Sequence, residues 1–147
     1  NSNIFNKELT KEIINSFGKQ SLVGGLDLIS IDGKYKIYSR GNIIKMNYSD
    51  YLKKMIDQDI GELKVTFVNL EGTRKGLDID TSMKIIKSVE VPVIIEGGTK
   101  NLIDLENAIK QGINSIALGN ILIFSDNNIF KVKQFLENRK INVRIRN

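Results

Sequence analysis

A chain of 147 residues with 41% hydrophobic content is long enough for one domain with a real core, spanning residues 1–147, and too short for two. It holds no Cys and no His; that excludes disulfides, thiolate metal sites, the usual zinc clusters and Ser-His or Cys-His nucleophile pairs, leaves acid–base chemistry to Asp, Glu, Lys or Tyr, and gives no reason to expect a cofactor or metal. The net charge of +5 is dispersed among 17 acidic residues with no basic stripe interleaved with aromatics, which argues against nucleic acid as a partner, and no apolar run approaches the ~18 residues of a membrane span.

In chain order, the pattern alternates helices with apolar runs. A helix is expected from Asn6 to Phe17, stopped at Gly18. The run "SLVGGLD" then reads as a strand ending at Asp27, and "ISIDGKYKIY" alternates about Asp32-Gly33 as a β-hairpin with a tight turn. A second helix is expected over Ser49–Asp57 behind a Ser cap, followed by the strand and its end in "ELKVTFVNLEGT". A third helix, Asp80–Ser88, leads into "VPVIIEGGT", whose continuous apolar run reads as a parallel strand covered on both faces, with Pro92 confined to its first positions. Helix Leu102–Lys110 stops near Gly112, "NSIALGN" supplies a fourth strand end, and helix Asn128–Asn138 precedes a basic tail through Arg139, Lys140, Arg144 and Arg146 that reads as solvated.

Four strand-then-helix units indicate a parallel α/β architecture. Leu70-Glu71-Gly72-Thr73 and Ile95-Glu96-Gly97-Gly98-Thr99 repeat a carboxylate, glycine and threonine at the strand-to-helix junction. Duplicated strand ends suit a barrel of repeated βα units, because parallel strands deliver their carboxyl ends to one face. Bare backbone at a helix N-terminus cradles phosphate, so Gly72, Gly97, Gly98 and Gly119 are expected around one anion. Read alone, the Gly-Gly pair is a chain reversal and Asp27 an N-cap or loop carboxylate.

"TFVNLEGTRKGLDID", "PVIIEGGTKN", "SIALGNILIF" and "FLENRKINVRIRN", with "EIINSFG" and "LVGGLDLISIDG" before them, resemble in order and spacing the second half of the cyclase subunit of imidazole glycerol phosphate synthase, over essentially the whole chain. The resemblance implies a (βα)8 TIM-barrel type fold, here four βα units forming a half-barrel. The start at Asn1 without Met fits a segment of a longer protein, and the resemblance implies a cytoplasmic one. It further implies ring closure of a bis-phosphorylated ribonucleotide with ammonia from a glutaminase subunit. Asp27 matches a catalytic aspartate of that family. The phosphate and substrate positions transfer to Glu71, Gly72, Gly97, Gly98, Gly119 and Asn120, with Asn1 and Ser2 similar to a phosphate-contacting pair. Glu62 matches a glutamate at the ammonia entrance.

The family usually carries Asp where Asn69 and Glu71 stand and Ser where Glu96 and Asn120 stand. Glu96 conflicts with a bound phosphate: like charges about 5 Å apart repel by ~3 kcal/mol per pair at an effective dielectric of 20. Two outcomes follow: either the carboxylate turns away, toward Arg74 or Lys100, or the site no longer binds the family's substrate. Two other functions fit the same residues: a paralogue delivering ammonia for amidation of a surface-polysaccharide sugar, and a non-catalytic phosphosugar-binding half-barrel. A half-barrel whose inner face is lined by Val23, Val65, Val93 and Ile116, or by their alternating neighbours, is expected to pair with its missing half or with a second copy.

Overall fold

The computed structural model describes residues 6–144. The elements are α1 (Lys7–Phe17), a 3₁₀ turn (Lys19–Ser21), β1 (Val23–Ile31), β2 (Lys34–Ser39), β3 (Asn42–Ile44), α2 (Tyr48–Ile56), β4 (Glu62–Phe67), α3 (Ile79–Ser88), β5 (Val93–Glu96), α4 (Leu102–Lys110), β6 (Ile116–Ala117), α5 (Asn120–Ile123) and α6 (Ile129–Asn138). They build one six-stranded sheet in the order β3-β2-β1-β4-β5-β6. β1, β4, β5 and β6 run parallel, while β2 and β3 extend β1 as antiparallel strands. The alternating βα units and parallel sheet are part of a TIM-barrel type fold. Among the described residues, no helix is long and apolar enough to cross a membrane.

Helix starts follow short polar caps. Asn6, Asn47, Asp78, Asn101 and Asn128 each accept a hydrogen bond from a backbone N–H in the first turn of the helix they precede, satisfying a donor the helix itself leaves orphaned. The cap of α2 is therefore Asn47 rather than a serine: its side chain takes both the Ser49 N–H and the Ser49 hydroxyl at 3.1 Å, and the helix begins a residue earlier than expected. The expected hairpin at Asp32-Gly33 forms with φ of 49° and 71°, and a second two-residue turn at Arg40-Gly41 repeats it with 49° and 83°. Positive φ at both central positions matches the right-handed twist of the strands it joins.

Burial separates the two faces of the sheet. Leu26 and Leu28 of β1, Leu63, Val65 and Phe67 of β4, and Ile95 of β5 are fully buried, and Val93 nearly so. They form one cluster with Tyr51, Leu52 and Met55 of α2, Ile85 of α3 and Ala108 of α4. The positions i, i+1 and i+4 on α2 make the single apolar stripe a surface helix needs. A smaller cluster joins Leu105 of α4 to Val132 and Leu136 of α6, and Glu106 ties the same helices together, accepting from Lys110 at 2.7 Å and Arg139 at 2.5 Å. The opposite face is less buried and mostly polar, so "VPVIIEGG" is not covered alike on both sides: Val93 and Ile95 are buried, Ile94 and Glu96 only partly. Of the four residues named for the inner face, Val65, Val93 and Ile116 lie on the helix side and Val23 alone lies on the open side, 48% exposed.

Candidate functional site

Strand register sets the chemistry of the open face. Asp27 pairs with Thr66, Thr66 with Glu96 and Glu96 with Ala117, a single row across four parallel strands, near the carboxyl ends of β4, β5 and β6 but midway along β1, which runs past the expected stop at Asp27 to Ile31 because the hairpin with β2 continues it. Strand neighbours lie about 4.8 Å apart. One row toward the amino ends, Gly25 pairs with Lys64 and Lys64 with Ile94; Glu62 begins β4 on this same face. Period-two alternation thus lines Glu62, Lys64 and Thr66 in a column running from the amino rim to the Asp27 row.

Glu96 does not turn toward Arg74 or Lys100. Its Oε2 accepts from Lys64 Nζ at 2.6 Å and from the Thr66 hydroxyl at 2.9 Å. The hydrogen bond with Glu96 raises the Lys64 pKa, burial works against it, and the negative charges of Glu96, Asp27 and Glu71 add to the rise. Lys64 is therefore a cation throughout the physiological range. The expected guanidinium partner, Arg74, instead donates from Nε and Nη2 to the Lys100 carbonyl at 3.4 and 3.3 Å, stitching the loop after β4 to the loop after β5.

These loops close a pocket of about 70 Å³ whose lining includes Glu71, Gly72, Gly97, Gly98, Gly119 and Asn120, with Arg74, Glu96 and Thr99 also in its wall. A water needs roughly 10–15 Å³ on this scale, so the space suits a phosphate-sized group better than a whole phosphosugar. Asn120 donates from Nδ2 to the Gly72 carbonyl at 2.6 Å and bridges the ends of β4 and β6. Gly76 N–H donates to the Gly98 carbonyl at 2.8 Å. Gly98 has φ 93°, and a Cβ there would collide with the Gly76 carbonyl oxygen. Its bareness is thus demanded by the approach of the two loops as well as by any ligand. At Gly119, by contrast, an added Cβ meets nothing within 4 Å and φ is not positive. The first turn of α4 is occupied by its own side chains: Asn101 Oδ1 accepts from the Asp104 N–H at 2.9 Å and Asp104 Oδ2 from the Lys100 N–H at 3.0 Å. That helix does not present a free positive end to the pocket.

Asp27 lines a second cavity of about 380 Å³ with Gly25, Ser39, Arg40, Lys64 and Thr66. Lys64 and Glu96, ion-paired, stand between the two cavities. Asn69 reaches back to β1, its Oδ1 accepting from the Ser30 N–H at 2.5 Å and its Nδ2 donating to the Ser30 carbonyl at 3.3 Å. An aspartate there would lack the second contact, which explains the amide in this chain.

The structure therefore brings Glu71, Gly72, Gly97, Gly98, Gly119 and Asn120 together, sets Asp27 in the adjoining cavity, and puts Glu62 at the opposite end of the same face. Asn1 and Ser2 lie outside the described residues. Sequence reasoning gave no site role to Lys64, Thr66, Arg40 or Thr99, and named Arg74 only as a partner for Glu96. Lys64 and Thr66 were readable from alternation with Glu62 once β4 was recognised; Arg40 depends on the second hairpin turn, and Arg74 and Thr99 on the meeting of two loops distant in sequence.

Residues 1–128 match the family profile described as "Histidine biosynthesis protein". The chain is 30% identical over 141 residues to imidazole glycerol phosphate synthase subunit HisF of Chlorobium luteolum, an alignment covering 94% of this chain and 56% of that protein. It is likewise 30% identical over 148 residues to the subunit of the same name from Pseudoalteromonas translucida, covering 94% of this chain and 57% of the relative. The chain thus spans little more than half the length of these curated relatives.

Proposed function

We propose, from the premise that this chain belongs to the histidine biosynthesis protein family, that it carries the carboxyl-terminal working face of an imidazole glycerol phosphate synthase cyclase. The observation that carries this reading is the convergence of Gly72, Gly97, Gly98, Gly119 and Asn120 on one phosphate-sized pocket, beside the cavity that Asp27 lines.

In this reading the pocket anchors one phosphate of a bis-phosphorylated ribonucleotide through backbone and amide donors. Asp27 moves protons during ring closure as general acid/base; it sits midway along β1, held rigid by the sheet and level with the carboxyl ends of β4 and β5. Ammonia released by a glutaminase subunit at the amino rim enters near Glu62 and travels along the Glu62, Lys64, Thr66 column. The Lys64–Glu96 ion pair neutralises the acid that otherwise opposes phosphate binding.

Completion of the barrel requires four more βα units, from a complementary half or a second copy. Ile123, Phe124, Ile129 and Phe130, in the segment just after the edge strand β6, are 54–70% exposed, and such an apolar patch supports a covering partner.

The test is turnover by an assembly of this chain with the amino-terminal half of a HisF relative, supplied with ammonium and the family substrate. Asp27→Asn is expected to lower turnover by roughly 10²–10⁴-fold with substrate affinity nearly unchanged. Unaltered turnover would remove Asp27 from the mechanism and the reading with it.

A further inference from the structure

Thr99 is a residue to which neither the family pattern nor the glycine motif gives a role. It follows Gly97-Gly98, forms part of the wall of the glycine pocket, and is 8% exposed. Its Oγ1 is buried and has no hydrogen-bond partner among the described residues, the one side-chain atom among them of which this is true. Every comparable hydroxyl nearby is engaged: Thr66 donates to Glu96 at 2.9 Å and Thr73 to the Leu70 carbonyl at 2.8 Å.

A buried hydroxyl with nothing to bond costs free energy, and natural structures keep such a group where a ligand, an ion or a water satisfies it. The surroundings select among these. Glycines at 97 and 98 remove side-chain bulk from the strand end, Lys64 pairs with the Glu96 carboxylate, and Arg74 adds a cation to the wall against its other acid, Glu71. Together these favour an oxyanion, and a hydroxyl donates to an oxyanion with the strength of a charge-assisted bond. Both loops flanking Thr99 are pinned, by Gly76 N–H to the Gly98 carbonyl and by Arg74 to the Lys100 carbonyl, so the side chain is held in place before the ligand arrives.

We propose that the Thr99 hydroxyl is a direct phosphate ligand, donating a hydrogen bond to the phosphoryl group held by the glycine pocket. This rests on the phosphate reading of that pocket and adds to it a side-chain donor that discriminates a phosphate from an empty or water-filled pocket.

The experiment compares wild type, Thr99→Val and Thr99→Ser by amide-resolved NMR titration with inorganic phosphate and by denaturant unfolding in phosphate-free buffer. Valine keeps the shape and removes the hydroxyl. Phosphate affinity is expected to fall roughly ten- to a hundredfold in Thr99→Val, the range for a hydrogen bond to a charged group, and to stay near wild type in Thr99→Ser. Without phosphate, Thr99→Val should be as stable as wild type or more so, because it deletes an unsatisfied polar group. Weaker binding with unweakened folding is a signature that a merely structural threonine does not produce. Equal phosphate affinity in wild type and Thr99→Val would overturn the proposal while leaving the pocket intact. Loss of stability in Thr99→Val would overturn it too, by showing that the hydroxyl is already satisfied in the unliganded protein. No saturable shift at Gly72, Gly97 or Gly119 in wild type would overturn the phosphate reading itself and the Thr99 proposal with it.

Discussion

The two faces of β4 are made from one hexapeptide and do opposite work. Leu63, Val65 and Phe67 are fully buried against the helices, whereas Glu62, Lys64 and Thr66 line the open face with groups that carry or bind charge. β5 divides in the same way between Val93 and Ile95 on one side and Ile94 and Glu96 on the other. The covered side is uniform and depends on volume and packing. The open side is particular: each residue differs from the next and its value lies in what it faces across the row. Fold and function are thereby separable position by position along a single strand, and substitutions should report which side they strike.

The largest expected effect is on the covered side. Phe67, fully buried and edge-on to the Tyr35 ring at a centroid distance of 5.3 Å, should cost about 3–5 kcal/mol of unfolding free energy when replaced by alanine, as large-to-small core changes do. A cleaner form of the comparison uses one substitution twice. Val65→Ala should cost roughly 2 kcal/mol and Val23→Ala, on the open face and 48% exposed, under about 0.5 kcal/mol. Equal denaturant midpoints for the two would erase the distinction between the faces.

Next come the glycines, which the sequence presents as one class and the structure divides. Gly98→Ala meets the Gly76 carbonyl from a positive φ and should destabilise the protein by about 2 kcal/mol or more. Gly119→Ala has open space and an ordinary φ, so its unfolding should move by less than about 0.5 kcal/mol, and any loss of phosphate binding there reports on the site alone. Calorimetric melting of both variants checks the contrast.

The helices and the order of strand ends were legible in the sequence because 3.6-residue periodicity, cap residues and Gly stops are local signals. Leu102–Lys110 is bounded as expected, and Asn6 and Asn128, taken there as first residues of helices, are their caps. Which side of each strand faces the helices was not legible: Val-Pro-Val-Ile-Ile is apolar throughout, and only the partner elements decide that Ile94 stays on the open face. The same reason hid the partner of Glu96. Lys64 lies 32 positions earlier, and strand register alone brings it alongside. Three-dimensional proximity also explains why Thr99 was quoted as part of a repeated strand end without being given a role.

The smallest expected effect is electrostatic and sits behind the covered face. Glu106 bridges α4 and α6; the hydrogen bond from Lys110, then the charges of Arg139 and Lys110, hold its carboxyl below the usual carboxylate range, with burial opposing. A depressed folded-state pKa stabilises the protein above the unfolded-state value of about 4.3, and that contribution disappears as pH falls through the lower folded-state value. Wild type should therefore lose stability below about pH 4 more steeply than Glu106→Gln. Parallel acid unfolding curves for the two would mean the bridge contributes nothing to the pH dependence.

The central claim is that the open face, at the carboxyl ends of the parallel strands, is the working face and holds phosphate by backbone. Amide-resolved NMR titration of the wild-type chain with ribose 5-phosphate tests it most directly. The account predicts saturable shifts at Gly72, Gly97, Gly98, Gly119 and Asn120, with the amides of Glu62 and Leu63 at the amino end of β4 unmoved. Saturation that spares all five positions while moving residues elsewhere would contradict it, and would leave the glycines as turns.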